Sequence, residues 1–168
     1  AYMRWYETFL GDRPVALADR PRVGVILFRQ LVLSGDTAHY RACIEALERA
    51  GLAVIAGFSG LDNTPLVENL FRPFSIELLL NLTGFNLVGS MGSPNPEAAV
   101  QLLDKLNVPY IVAGPLLFQS LQEWLDDPIG LAPTQTALQV VLPEIEGGIE
   151  PRVIGARHSG EHFEPIVD

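Results

Sequence analysis

The stretch Pro143-Glu144-Ile145-Glu146-Gly147-Gly148-Ile149-Glu150-Pro151 sets two glycines between carboxylates at the end of an apolar run. Carboxylates take protons or supply oxygen ligands to a hard cation, and a glycine bend lets them approach a bulky ligand. The same composition also describes a solvated acidic turn, so residue types alone leave both readings open. His39 is the other candidate. It falls in the first turn of an expected helix, where the positive dipole end lowers an imidazole's pKa and favours the neutral base; a capping or structural histidine is the alternative. His158 and His162 flank Gly160 in an expected loop, and lone Cys43 shares a helical stripe with Tyr40 and Leu47. Solvent-facing histidines and a core thiol are therefore expected, in preference to a zinc site or a nucleophile.

These groups need elements to position them. Val23-Gly24-Val25-Ile26-Leu27-Phe28 is an unbroken apolar run of strand length, and further strands are expected at residues 52–58, 76–82 and 109–113. Between them, helices are expected at residues 37–50, with Asp36 as N-cap and Gly51 as the stop, at 65–71, 94–106 and 115–125. Residues 133–141 read as helix or strand, and Pro151-Arg152-Val153-Ile154 as a short final strand. Strands alternating with helices require crossover connections. The expectation is an α/β, flavodoxin-like three-layer sandwich, with a mostly parallel sheet and helices on both faces. In such sheets ligands bind beyond the carboxyl ends of the strands. The segments Ser34-Gly35-Asp36-Thr37-Ala38-His39-Tyr40, Thr83-Gly84-Phe85-Asn86-Leu87-Val88-Gly89 and Gly114-Pro115 are thus expected on one functional rim.

Other classes are disfavoured. No glycine-rich phosphate loop runs into a helix, which weakens a flavin or nucleotide binder, and no Gly-x-Ser-x-Gly elbow accompanies Ser90 or Ser93. With 168 residues, 48% hydrophobic, the chain has material for one core. A formal charge of −9 argues against nucleic-acid binding. The apolar runs are short for a transmembrane segment and the start lacks a secretory pattern, so a cytoplasmic location is expected. Tyr2, Trp5, Tyr6 and Phe9 at helical spacing suggest an N-terminal helix, with its linker, over residues 1–21. The α/β domain then spans 22–157, and 158–168 form a tail leading to a missing segment. The unusual termini suggest an internal piece.

Four segments, Gly35-Asp36-Thr37-Ala38-His39-Tyr40, Leu82-Thr83-Gly84-Phe85-Asn86-Leu87-Val88-Gly89, Val108-Pro109-Tyr110-Ile111-Val112-Ala113-Gly114-Pro115-Leu116 and the acidic stretch through Pro151, together resemble one family. It is the porphyrin-binding large (H) subunit of magnesium chelatase, related to the cobaltochelatase large subunit. The similarity runs from Arg22 to Arg157 and includes Phe118-Gln119 and Glu123-Trp124. The resemblance implies a fragment, inactive alone, of a much longer subunit that holds protoporphyrin IX and inserts Mg²⁺ in (bacterio)chlorophyll biosynthesis. ATP is then hydrolysed on partner AAA+ I and D subunits, and a porphyrin-delivering activator protein and the subunit's remaining domains complete the partners. A plastid stroma location follows for a plant or alga, with peripheral membrane association through partners. Under this resemblance Glu150 and then Glu144 are the expected catalytic carboxylates, Glu150 also meeting Mg²⁺ transiently, and His39 orients or relays. Asp36, Thr83, Gly84, Phe85 and Asn86 are the expected porphyrin contacts. The tail from Arg157 to Phe163 departs from the plant-type form, so a bacterial-type H subunit or a cobaltochelatase acting on a corrinoid stays open, with magnesium favoured by Thr83-Gly84-Phe85 and Gly147-Gly148-Ile149-Glu150-Pro151. A scaffold domain that only joins its neighbours is the competing class, with Trp5 and Phe9 as candidate contacts.

Overall fold

Branched and aliphatic residues run almost unbroken through the first strand because both of its faces are covered. The computed structural model describes residues 20–90, 92–158 and 160–166, apart from the side chain of Glu150. Within it β1 (Arg22–Leu27), β2 (Ala53–Phe58) and β3 (Leu78–Asn81) are joined by a short ladder of β4 (Gly89–Ser90) and β5 (Ser93–Pro94) to β6 (Tyr110–Ser120), β7 (Ile149–Arg157) and β8 (Glu164–Pro165). The main sheet has the order β2-β1-β3-β6-β7-β8. Its first five strands are parallel and β8 is antiparallel to β7. The order 2-1-3 with later strands added outward is the flavodoxin arrangement, whose switch point lies between β1 and β3.

Helices cover both faces. On one, α1 (Arg29–Ser34) and α2 (Ala38–Arg49) set Leu31, Val32, Tyr40, Ile44 and Leu47 against Val23, Val25, Val54 and Leu80. On the other, α3 (Thr64–Leu66), continued by a π turn Val67–Phe71, and α4 (Pro96–Leu106) cover Ile26, Ile55, Leu79 and Val112. Alternate residues of β1 feed different cores, as the two-residue period of a strand requires. α5 (Leu121–Asp126) follows β6. A continuous rod of α6 (Pro133–Thr136), a π turn Ala137–Val141 and α7 (Leu142–Ile145) then leads to β7.

Several expectations change. The helix expected at 115–125 starts only at Leu121, because β6 runs on through Pro115 to Ser120. β3 ends at Asn81, opposite Val112, so beyond that level β6 is an open edge on one side, where a proline's missing N–H is tolerated. The 133–141 stretch is helical, and the short strand at Pro151 is a nine-residue one. Asp36 does not cap α2: Thr37 holds that position without a side-chain bond, and the Asp36 carboxylate accepts instead from the Phe163 N–H at 2.9 Å. The tail accordingly folds back onto the sheet, with β8 paired to β7 and Phe163 fully buried. The helix expected at residues 1–10, with Trp5 and Phe9, lies outside the described residues. Cys43 is half-buried in the α2 core, where burial raises its thiol pKa.

Candidate functional site

The switch point of the sheet is occupied by the segment that follows β3, residues 82–88, all of them buried. Its sequence is polar and glycine-containing, yet its polar atoms are spent internally. Asn81 Oδ1 accepts from the Thr83 N–H at 3.0 Å and hydroxyl at 2.8 Å, while Asn81 Nδ2 donates to the Phe85 carbonyl and to the Tyr110 hydroxyl. Thr83 Oγ1 in turn accepts from the Phe85 N–H, and Asn86 Nδ2 donates to the Val88 carbonyl at 2.6 Å. Such closed networks fix one backbone shape, since every alternative leaves a buried polar atom unpaired. Thr83 and Asn86 therefore shape the loop, and Phe85 meets Phe28 edge-on at 5.0 Å across the end of β1.

Two outside stretches grip this loop. From the α2 side, the Tyr40 hydroxyl donates to the Leu82 carbonyl at 3.2 Å and accepts from the Phe28 N–H. From the α7 side comes Glu146, 1% exposed, whose Oε2 accepts from the Leu87 N–H at 2.6 Å while Oε1 has no hydrogen-bond partner. Burial lifts its pKa to about 7, against the opposing pull of the Leu87 and Val88 amides. Tyr110 is buried beside it, and its phenol pKa is raised by that burial. Sequence reading chose Glu144 and Glu150 from this stretch and missed Glu146. Helical spacing offered a hint, since Glu146 follows Pro143 by three residues and both are buried, whereas Glu144 is exposed.

His39 is fully buried, and neither ring nitrogen has a hydrogen-bond partner. The ring lies 4.0 Å from that of Tyr40 and 5.3 Å from that of Phe163, and the Arg157 guanidinium stands over the Phe163 ring, 4.2 Å from its centroid. Burial pulls its pKa down to about 4, against the Asp36 carboxylate, which raises it. The neutral imidazole expected from a helix N-terminus is thus favoured mainly by desolvation. His162 stands 4.0 Å from Asp36, and exposed His158 lies 3.9 Å from Glu164, so the two histidines have separate neighbours.

The acidic stretch reaches the loop at a third place. Gly84, with φ of 75°, and Gly114 approach so closely that a Cβ at 114 would stand 2.8 Å from the Gly84 Cα. Gln139 fills the adjoining space, its Nε2 donating to the Pro115 carbonyl at 2.6 Å, and Gln135 accepts from the Phe118 N–H at 2.9 Å. These two glutamines serve the edge of β6 that β3 no longer reaches. Gly84, Gly114, Gln139 and Pro151 line a cavity of about 30 Å³, room for a single water. Glu150 lies in β7 between the Ile111–Ile149 and Ala113–Arg152 pairs, one strand across from the Asn81–Val112 level. A wider groove lies at the C-terminal ends of β6 and β7, between Leu117, Gln119, Glu123 and Arg157.

The expected single rim is therefore divided. Residues 36–40 pack on the α2 face with Tyr40 in its core, whereas Glu146 binds Leu87, a member of the opposite core. The loop between them touches both. Among the described residues no cluster of three or more His, Cys, Asp or Glu could hold a metal ion, and no helix is long and apolar enough to cross a membrane.

Compared with known proteins, residues 1–168 match the family described as CobN/Magnesium Chelatase. The chain is 42% identical to the magnesium-chelatase H subunit of Cereibacter sphaeroides over 88% of its length, and 44% identical to the chloroplastic magnesium-chelatase subunit ChlH of Oryza sativa subsp. indica over 93%. It is 31% identical, over 89%, to the aerobic cobaltochelatase subunit CobN of a Sinorhizobium species. The chain spans only 13%, 12% and 12% of those relatives. A solved structure, the catalytic subunit of cobaltochelatase from Mycobacterium tuberculosis, superposes with a TM-score of 0.66 at 20% identity, over 89% of this chain and 13% of that one.

Proposed function

The chain belongs to the CobN/Magnesium Chelatase family, and from that premise we propose that it is the segment of a magnesium-chelatase H-type subunit that forms one wall of the porphyrin site. At that site Mg²⁺ replaces the two pyrrole protons of protoporphyrin IX; both are substrates. The observation that carries this reading is the convergence of three of the segments that carry the family similarity, through Gly84, Gly114 and Pro151, on one small cavity beside the sheet's switch point. Ligand sites of open α/β sheets lie there. The higher identity to magnesium-chelatase H subunits, 42% and 44% against 31% for the cobaltochelatase subunit, favours magnesium over cobalt and a corrinoid.

The chemistry asks for oxygen ligands and a base. Mg²⁺ gives up its waters reluctantly, and a carboxylate near the ring can replace one of them and accept a pyrrole proton. Glu150 has that role, with exposed Glu144 second. Asp36, Thr83, Gly84, Phe85 and Asn86 shape the wall against which the ring lies. His39 has two free nitrogens and relays a proton only when the segment carrying Phe163 lifts from it. A cavity that holds one water cannot enclose a macrocycle, so the ring lies on an open face that the rest of the subunit completes. ATP hydrolysis falls to the AAA+ I and D partners, and a porphyrin-delivering protein supplies the substrate. The chain then works in the plastid stroma of a plant or alga, or in the cytoplasm of a bacterium.

Exposed Leu125 and Ile129, 66% and 88% accessible, favour a second reading in which this domain chiefly docks neighbouring domains. The deciding experiment is Glu150→Gln in the full-length subunit assayed with its AAA+ partners. Chelation is expected to fall on the order of 100-fold with porphyrin affinity unchanged. Unchanged turnover removes Glu150 from the mechanism.

A further inference from the structure

Arg157 is a cation without a counter-ion in a chain whose formal charge is −9. It is half-buried at the last paired level of the parallel sheet, where Ser120 ends β6 opposite it. The Phe163 ring covers one face of its guanidinium. Its Nε donates to the Glu161 carbonyl at 3.2 Å and its Nη1 to the Leu117 carbonyl at 3.4 Å, which spends two of an arginine's five N–H donors on backbone. Among the described residues no carboxylate forms an ion pair with it. The group is therefore held rigidly with a fork of N–H groups still to be matched, and the groove it lines, of about 360 Å³, lies at the ligand-binding end of an open sheet. The other polar side chains of that groove are already engaged. Gln119 donates to the Gly130 carbonyl and accepts from the Ala132 N–H, while Glu123 Oε2 accepts from the Ser120 N–H at 2.7 Å and hydroxyl at 2.9 Å. Exposed His158 and Phe118 complete the lining, one a polar donor and the other an aromatic face.

We propose that Arg157 is a specificity-determining residue that binds a propionate carboxylate of the porphyrin in this groove, with Phe118 against the apolar edge of the ring. The substrate's macrocycle is apolar and its two propionate arms are anionic, so one fixed cation at the rim decides which edge of the ring enters. Arginine suits that task because its planar fork matches a carboxylate in two parallel bonds. A few placed polar groups on an otherwise apolar surface are how ligand sites fix orientation. Glu123 is the opposing charge among the lining residues, and its bonded oxygen is turned to Ser120 at the start of α5. His158, 3.9 Å from Glu164, stands at the outer margin.

This inference rests on the reading of the domain as one wall of the porphyrin site, and its test separates the two. Protoporphyrin IX and its dimethyl ester, in the same detergent, are titrated by fluorescence quenching against the full-length subunit as wild type, Arg157→Gln and Phe118→Ala. Wild type is expected to prefer the diacid. Arg157→Gln raises the Kd of the diacid on the order of tenfold and leaves that of the ester unchanged, because the ester has no charge to match. Phe118→Ala raises both by a similar factor. Should Arg157→Gln fail to fold, His158→Glu at an exposed position sets a carboxylate in the groove and raises the Kd of the diacid alone; an unchanged Kd there overturns the proposal. A diacid-to-ester preference that stays at its wild-type ratio in Arg157→Gln also overturns it, and a rise shared by both ligands assigns Arg157 to a contact with a neighbouring domain. In either case a Phe118→Ala that weakens both ligands leaves the porphyrin-wall reading standing. Two ligands whose Kd values ignore every one of these variants overturn that reading as well.

Discussion

His39 and Glu146 are buried on opposite sides of the sheet, and burial favours the neutral form of each. Their effects on stability oppose one another. His39 has a folded pKa of about 4 against 6.5 unfolded, so the unfolded chain binds the extra proton, and stability is lost as pH falls from 6.5 toward 4. Glu146 has a folded pKa of about 7 against 4.5, so the folded chain binds the extra proton, and stability present below 4.5 is lost as pH rises through 7. Each contribution is at most about 3 kcal/mol, and in the shared window they largely offset. Urea unfolding of the domain across this range should therefore look flat in wild type. His39→Phe, which keeps a ring against Phe163, should lose stability as pH rises, and Glu146→Gln should lose it as pH falls. Variants that both retain the wild-type profile would show that neither group titrates as its burial requires.

At the scale of elements, the length of β6 decides the site. It outruns β3, and the exposed edge is served by Gln135 and Gln139 from the α6 rod, which brings that rod against Gly84. The π turn at Ala137–Val141 carries Gln139 itself. Gly114 is where strand and loop meet, and the atom facing it is backbone, which cannot swing aside as a flexible side chain can. Gly114→Ala should accordingly destabilise the domain by about 1–3 kcal/mol and speed amide exchange in residues 83–88. A thermal midpoint equal to wild type would mean that the loop and β6 are not locked together.

For the whole molecule, the relevant fact is that this chain covers about an eighth of the proteins it matches. Phe118, Leu125 and Ile129 lie exposed at the end of β6 and in the segment after it, and large apolar side chains left in solvent are where a contact with another domain is sought. Substituting Leu125 and Ile129 by Glu should leave domain stability within about 0.5 kcal/mol, because exposed side chains contribute little to folding. The same pair should reduce self-association of the isolated domain in sedimentation and weaken assembly of the complete subunit. A pair of substitutions without effect on either would assign that surface to solvent.

The apolar runs, their spacing and the intervening polar turns were sufficient to expect parallel strands with helices on both faces, because burial on two sides demands continuous hydrophobic strands and parallel pairing demands crossovers. Motif similarity likewise marked the loop after β3 and the acidic stretch before β7. Tertiary structure alone decided which of their side chains face inward. Glu144 lies in α7 and Glu146 caps its end two positions later, and only packing against Leu87 puts one in solvent and the other in the core. It decided equally that Asp36 holds the tail in place of capping a helix, since its partner, the Phe163 amide, is 127 residues away. Local pattern reports which residues want burial; a contact across such a separation forms only when the whole chain has closed its sheet.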